Sequence, residues 1–158
     1  MFLNILVAID GSASSGRALE QAIDLARAMN SKLTLITVAP PLSHYVTLAG
    51  VKPETMQEEL EKWADGILRK AGATVPDDVV AHRVQRSGHA GQEILEEAER
   101  GQYDLVVLGS RGRGRAQEGL LGSVNGYLHF PCSRATALDP DRGVTRGEAR
   151  PRVRPATP

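Results

Sequence analysis

A glycine- and arginine-rich segment that starts at Gly109 has the residue types and spacing to bind a ligand. It follows a strongly apolar run and leads into a predicted helix. Glycines at 109 and 112 let the backbone turn tightly and approach a ligand closely. Gly122, Ser123 and Val124 would present backbone N–H groups at the start of that helix, where the donors and the helix dipole favour phosphate. These features would suit a phosphate-binding loop.

Three arginines alternate with small residues in the same segment, at Arg111, Arg113 and Arg115. They could grip phosphate, attract polyanions or solvate the loop, and for Arg113 and Arg115 solvation is at least as well supported. The segment has no GxxxxGK[ST] run, and no GxGxxG follows the first strand, so neither a P-loop nor a dinucleotide site is predicted. On composition alone, a flexible surface loop is the better-supported interpretation.

Residues for catalysis or metal binding are not grouped in this sequence. The four histidines lack metal-ligand spacing, and no Ser-His-Asp or Cys-His arrangement is indicated. The single cysteine, Cys132, follows an apolar stretch and is expected to be a small semi-buried hydrophobe. We therefore predict no catalytic residue and no metal ligand, and we expect binding rather than catalysis.

The elements that must position the glycine-rich segment alternate between strands and helices. Apolar runs predict strands at 3–9, 33–39, 79–84 and 103–109, the third of them nearer a sheet edge. Apolar residues at spacings of three and four predict helices that begin near serines 14 and 15 and at 54, 91 and 120. The glutamates of the third helix, Glu93, Glu96, Glu97 and Glu99, are expected on a solvated face.

This alternation predicts an α/β fold, a doubly wound parallel sheet with helices on both faces. Such sheets bind ligands beyond the carboxyl ends of their strands, at the point where the strand order reverses. Asp10, Val38 and Gly109 stand at these ends. They are therefore candidates for the same site as the glycine-rich segment.

Length and composition fit one ordinary domain with a core of aliphatic residues. The chain has 158 residues, 41% of them hydrophobic and 24% charged, and its formal net charge is zero. These values exclude a wholly disordered or membrane-spanning chain and give no general polyanion-binding surface. The lone cysteine and an N-terminus without the features of a signal peptide favour a cytoplasmic location.

Several motifs resemble the universal stress protein family. They are ILVAIDGS at 5–12, the strand end Thr37-Val38, and a G-x-x-G pattern followed after nine residues by G-[ST]. The last pattern runs here from Gly109 and Gly112 to Gly122-Ser123. The resemblance covers about residues 3–132. It implies a Rossmann-like, adenine nucleotide alpha hydrolase-like fold.

The resemblance also implies a set of nucleotide-binding residues. Asp10 would lie near the nucleoside, although it could instead cap the turn after the first strand. The backbone of Val38 would meet adenine, the 109–112 loop would wrap ribose and phosphates, and the 122–124 turn would bind the phosphates. Mg²⁺ would be held mainly by the phosphates themselves. The full set is Asp10, Val38, Gly109, Arg111, Gly112, Gly122, Ser123 and Val124.

The function implied is that of an ATP-binding stress-response sensor or regulatory module, at most a weak ATPase, that forms a homodimer. The alternative is a module that binds no nucleotide and works by oligomerisation or by docking to a partner. An adenylate-forming or nucleotidyl-transfer enzyme would need a phosphate motif and catalytic residues that are not evident here. No membrane partner is predicted, and nucleic acid binding would rest on the C-terminal tail alone.

Residues 133–158 differ from the rest of the chain. They hold six arginines, three acidic residues and four prolines, for a net charge of +3. In the family, Pro-Cys leads into a fifth strand, whereas here no apolar β run follows Pro131-Cys132. We therefore expect a domain at 1–132, a disordered basic tail at 133–158, a fifth strand missing or altered, an exposed fourth strand and a weakened dimer. The tail could be a native partner-binding segment or the product of an altered reading frame.

Overall fold

A computed structural model describes residues 2–41, 53–109, 136–139 and 143–146 of the chain. Up to residue 109, strands and helices alternate as the sequence predicts. The helices are α1 (Ala13–Met29), α2 (Pro53–Gly72) and α3 (Ala90–Arg100). The strands are β1 (Asn4–Ala8), β2 (Lys32–Ala39), β3 (Ala81–Ser87), β4 (Leu105–Val107), β5 (Thr136–Asp139) and β6 (Gly143–Arg146). The helix predicted to begin at 120 lies outside the described residues.

The strands form one sheet in the order β3-β2-β1-β4-β5-β6. β1 lies between β2 and β4 and runs parallel to both, with Ile5 opposite Leu33 on one side and Leu105 on the other. β3 is at an edge of the sheet, as its less apolar sequence predicts. The chain builds outward from β1 through β2 to β3 and then crosses to the other side of β1 to form β4. The predicted doubly wound parallel sheet is confirmed.

Helices cover both faces of the sheet because consecutive residues of the central strands are apolar. Ile5 and Val7 belong to a buried cluster that α1 and α2 complete with residues such as Leu19 and Leu68. Leu6 belongs to a second cluster on the opposite face, which α3 completes. Of the helices within the described ranges, none has the length and apolar character of a membrane span.

Asp104 fastens the start of β1 to the turn before β4. Its Oδ2 atom accepts hydrogen bonds from the backbone N–H of Leu3 at 2.8 Å and of Asn4 at 3.0 Å. Its own backbone N–H donates to the carbonyl of Asn4. These three bonds set the alignment of β4 against β1, since β4 begins at the next residue.

The fifth strand differs from what the tail sequence predicts. β5 pairs in parallel with β4, and β6 pairs antiparallel with β5. The expectation that β4 would be left exposed at an edge is therefore wrong. We expected the fifth strand to be either missing or altered; the structure has a fifth strand, and its sequence is altered from the apolar run of the family. Backbone N–H and C=O groups along an open strand edge can pair with a segment of almost any sequence, so an apolar run is not required. The domain boundary at Cys132 and disorder in the remaining tail stay predictions.

Glu97 of α3 is not on the solvated face that the helix pattern predicts. Only 8% of its side chain is exposed, and its Oε2 atom accepts hydrogen bonds from Nε and Nη2 of Arg86 on β3. Nη1 of Arg100 lies 3.5 Å from the same oxygen. The hydrogen bond with Glu97 raises the pKa of the Arg86 guanidinium above its usual value. The partner comes from another element, so helical spacing alone could not reveal the pair.

Replacing Arg86 with methionine should lower the free energy of unfolding by about 2 kcal/mol, because Glu97 would keep a buried carboxylate without its main partner. The loss should be smaller than for a fully buried pair, since 31% of the Arg86 side chain is exposed. Urea denaturation measures this change. Arg83→Met, at an exposed position of the same strand, should cost less than about 0.5 kcal/mol. Equal losses in the two variants would contradict a special role for the pair.

Candidate functional site

The carboxyl ends of β1, β2 and β4 meet at one edge of the sheet. The strand order reverses between β1 and β4, and open α/β sheets bind ligands in the crevice beside such a reversal. Three predicted site residues are described, and they stand at the ends of these strands: Asp10 after β1, Val38 as the second-to-last residue of β2, and Gly109 after β4. The other predicted site residues lie outside the described residues: Arg111, Gly112, Gly122, Ser123 and Val124.

Side-chain hydrogen bonds close the turn from β1 into α1. Asp10 Oδ1 accepts from the backbone N–H of Ser12 at 2.9 Å. Ser12 is the N-cap of α1, and its Oγ atom accepts from the backbone N–H of Ser15 at 3.1 Å. Gly11 between them has φ of 78°, in the left-handed region that favours glycine. The cap of α1 is therefore Ser12, just before the serines at 14 and 15 near which the sequence predicts the start of the helix.

Asp10 thus has the turn-capping role that the sequence left as an alternative. Its backbone N–H also points at Ser15 Oγ, 3.4 Å away, so the residue is tied to the first turn of α1. A carboxylate can accept about four hydrogen bonds, so capping this turn is compatible with contacting a ligand. The contact of Asp10 with a nucleoside stays a prediction.

Gly109 packs directly against the first turn of α1. A Cβ atom at this position would lie 2.7 Å from both the carbonyl carbon and Oγ of Ser14, and 2.8 Å from the backbone nitrogen of Ser15. Carbon atoms in ordinary contact are about 3.5–4.0 Å apart, so no larger residue fits without moving a backbone segment. The sequence singled out this glycine for close approach to a ligand. In the structure it allows β4 to approach α1.

The backbone of Val38 points away from β3. Hydrogen-bonding groups of successive strand residues face alternate neighbours. Along β2, Leu33 and Ala39 bond to the β3 side, whereas Lys32 and Ile36 bond to the β1 side. Val38 is two residues beyond Ile36, so its hydrogen-bonding groups also face the β1 side. The pairing of β1 with β2, however, ends opposite Ile36. The N–H and C=O of Val38 therefore face the crevice beyond the end of β1.

The side chain of Thr37 closes the β1–β2 ladder just before this point. The backbone N–H of Ile9 donates to the carbonyl of Ile36 at 2.8 Å. Oγ1 of Thr37 donates to the carbonyl of Ile9 at 2.7 Å, and Thr37 is only 1% exposed. If the backbone pairing of β1 with β2 continued, the N–H of Val38 would donate to the same Ile9 carbonyl. Sequence reasoning noted Thr37 only as part of the family-like strand end and missed this bond.

The charged pair beside the site does not provide a cation for phosphate. Arg86 is the register partner of Val38 across the β2–β3 ladder. Its guanidinium is hydrogen-bonded to Glu97, so its charge is balanced within the protein. Within the ranges that the structure describes, no group of three or more His, Cys, Asp or Glu side chains is arranged to hold a metal ion.

The sheet order and the crevice at the strand ends define a doubly wound, Rossmann-like α/β protein. The model of the universal stress protein family matches residues 1–132, and the chain belongs to this family. Among its relatives is universal stress protein YxiE of Bacillus subtilis. The two are 33% identical over 133 residues, which cover 79% of this chain and 90% of the relative.

Two solved structures with bound nucleotides share the fold. One is a universal stress protein in complex with cAMP, with a TM-score of 0.60 and 23% identity, and the match covers 86% of this chain and 96% of that one. The other is a universal stress protein family protein from Arabidopsis thaliana, At3g01520, with AMP bound. Its TM-score is 0.60 at 19% identity, and the match covers 87% of this chain and 91% of that one.

Proposed function

We propose that this protein binds an adenine nucleotide, in the form of ATP with Mg²⁺, in the crevice beyond β1, β2 and β4. It would act there as a stress-response sensor or regulatory module. The observation that carries the proposal is the direction of the Val38 backbone. Its N–H is a donor and its C=O an acceptor, and the adenine edge offers the complementary N1 acceptor and N6 amino donor. The AMP and cAMP complexes of the two related structures support the same ligand class.

The phosphates would be bound by the glycine-rich segment that begins at Gly109. This residue lies at the reversal of strand order, so the segment starts beside the crevice. The G-x-x-G pattern, the Gly122-Ser123 pair and the predicted helix start supply backbone N–H donors for phosphate. Mg²⁺ would be carried by the phosphate oxygens.

We propose that ATP is hydrolysed slowly or not at all. Asp10, the carboxylate after β1, accepts the N–H of Ser12, so its orientation is set by the turn rather than by a water molecule in line with a phosphate. A general base must lie within hydrogen-bonding reach of the proton that it removes. Phosphate release should therefore stay near background under conditions that saturate binding.

Mass spectrometry of nucleotide released from freshly purified, acid-denatured protein tests the proposal. We expect ATP or ADP in amounts close to one per chain, and calorimetric titration of ATP with Mg²⁺ should give micromolar-range affinity. Folded protein that holds no nucleotide and binds none would contradict the proposal. That result would favour the module that acts by oligomerisation or docking. Sedimentation velocity and cell fractionation would test the homodimer and the cytoplasmic location, which belong to the same proposal.

A further inference from the structure

We infer that Thr37 is a positioning residue for base recognition, because its hydroxyl keeps the Val38 backbone available to the ligand. This inference rests on the proposed nucleotide site. It starts from one buried bond, from Thr37 Oγ1 to the carbonyl of Ile9 at 2.7 Å. The Ile9 carbonyl is the next acceptor in the hydrogen-bond pattern between β1 and β2, and this bond engages it.

Two donors of β2 are candidates for the Ile9 carbonyl, whose oxygen has two lone pairs. Ile9 is already aligned with β2, because its N–H donates to the carbonyl of Ile36 at 2.8 Å. Continuing the parallel pattern would bring the Val38 N–H onto the same carbonyl. The Thr37 hydroxyl satisfies this acceptor from the α1 face of the sheet, and the pairing of β1 with β2 ends one bond earlier. Without the hydroxyl, the carbonyl would be a buried acceptor that has lost its partner, and Val38 is the nearest backbone donor in the pattern to replace it.

The consequence for the ligand is a change in base preference. When the Val38 N–H faces the crevice, it can donate to adenine N1 while the Val38 carbonyl accepts from the N6 amino group. Hypoxanthine presents the opposite pattern, with a protonated N1 and a carbonyl at C6. ATP should therefore bind more tightly than inosine triphosphate, and Thr37 should be needed for that difference.

Thr37→Val, Thr37→Ser and Thr34→Val test this role. Valine has nearly the shape of threonine but no hydroxyl, whereas serine keeps the donor. Thr34 lies in the middle of β2 and is also buried, at 5% exposure, so its valine variant controls for the same chemical change in the same strand. Calorimetric titrations with ATP and with inosine triphosphate, both with Mg²⁺, give the preference for each protein.

We expect Thr37→Val to lower ATP affinity about tenfold, the effect of one ordinary hydrogen bond, and to change inosine triphosphate affinity less than about twofold. Thr37→Ser and Thr34→Val should keep the wild-type preference within about twofold. The fluorescence of Trp63, which packs against the α1–α2 core cluster, reports whether each variant is folded.

The outcomes separate the two proposals. A folded Thr37→Val protein with an unchanged preference overturns the positioning role, even if the variant unfolds more easily. Wild-type protein that binds both triphosphates equally also overturns it but leaves the triphosphate site intact. Wild-type protein that binds neither overturns the proposed function together with the inference. If Thr37→Val does not fold, loss of the preference in Thr37→Ser overturns the role, and retention supports it.

Discussion

Replacing Gly109 with alanine is expected to lower the free energy of unfolding by about 2–3 kcal/mol and to weaken nucleotide binding as well. The added Cβ would lie 2.7 Å from the Ser14 carbonyl carbon and 2.8 Å from the Ser15 nitrogen. These are backbone atoms of a helix held by its own cap, so they cannot rotate away as the end of a long side chain can. Either α1 or the end of β4 must shift by roughly 1 Å to restore an ordinary contact.

The shift would act on the crevice because both segments border it. α1 begins directly after the Asp10–Ser12 turn, and Gly109 begins the glycine-rich segment. We expect ATP affinity to fall at least about tenfold, since small displacements of positioning groups are costly. Urea denaturation followed by Trp63 fluorescence and calorimetric titration would measure the two losses separately.

Gly16→Ala is the matched control for this substitution. Gly16 lies in α1 itself, and an added Cβ would meet no heavy atom within 4 Å. In a helix interior, alanine is favoured over glycine by about 1 kcal/mol, so this variant should be as stable as the wild type or more stable. A loss of stability at Gly16 equal to that at Gly109 would show that the steric account of Gly109 is wrong.

Replacing Gly122 with valine is expected to lower ATP affinity by at least about 100-fold while leaving the protein folded. The expectation comes from the sequence pattern, in which Gly122-Ser123 ends the spaced glycine motif at a predicted helix start. A branched side chain there would add bulk where backbone N–H groups are predicted to meet phosphate. Calorimetric titration with ATP and Mg²⁺ measures the loss.

Gly66→Val controls for the introduction of valine in place of glycine. Gly66 lies within α2, far along the chain from the motif, and a Cβ there meets no heavy atom within 4 Å. ATP affinity of this variant should stay within about twofold of the wild type. Unchanged affinity in folded Gly122→Val would remove this residue from the proposed site.

Most of the fold could be predicted from the sequence because local patterns and packing agree. The apolar runs that became β1, β2 and β4 are buried on both faces, so their hydrophobic signal is nearly continuous. β3 was placed at 79–84 but forms at Ala81–Ser87. At the edge of the sheet, its side chains are mostly exposed, and the pattern there constrains the boundaries weakly.

Two features depended on partners that are distant in sequence. Glu97 has the helical spacing of a surface residue but is buried, and Arg86 of β3 is its hydrogen-bond partner. β5 lacks the apolar run of a buried strand and forms by backbone pairing with β4. Neither contact leaves a periodic signal in its own segment, so local patterns could not reveal it.

The strand ends proposed as the site could be predicted from the sequence better than the contacts made there. The strand-end rule and the family-like motifs pointed to Asp10, Val38 and Gly109, and the structure brings these three residues to one edge of the sheet. That a ligand binds there stays a prediction. The structure decides for the turn-capping role of Asp10 toward Ser12 and adds two contacts between elements: the packing of Gly109 against Ser14 and the hydrogen bond from Thr37 to Ile9. From the sequence alone, a threonine whose hydroxyl ends the hydrogen bonding between two strands cannot be distinguished from any other threonine in a strand.

The attachment of β4 to β1 also has a consequence during synthesis on the ribosome. Leu3 and Asn4 are made 101 and 100 residues before their partner Asp104. At about 5–20 residues per second, this interval is on the order of ten seconds. Throughout it, the nascent chain can assemble β1, β2 and β3, but one edge of the central strand stays unpaired. The crevice needs both β1 and β4, so a nucleotide bound at the proposed site would stabilise only a chain that has been synthesised past Gly109, and it would not assist the earlier steps of folding.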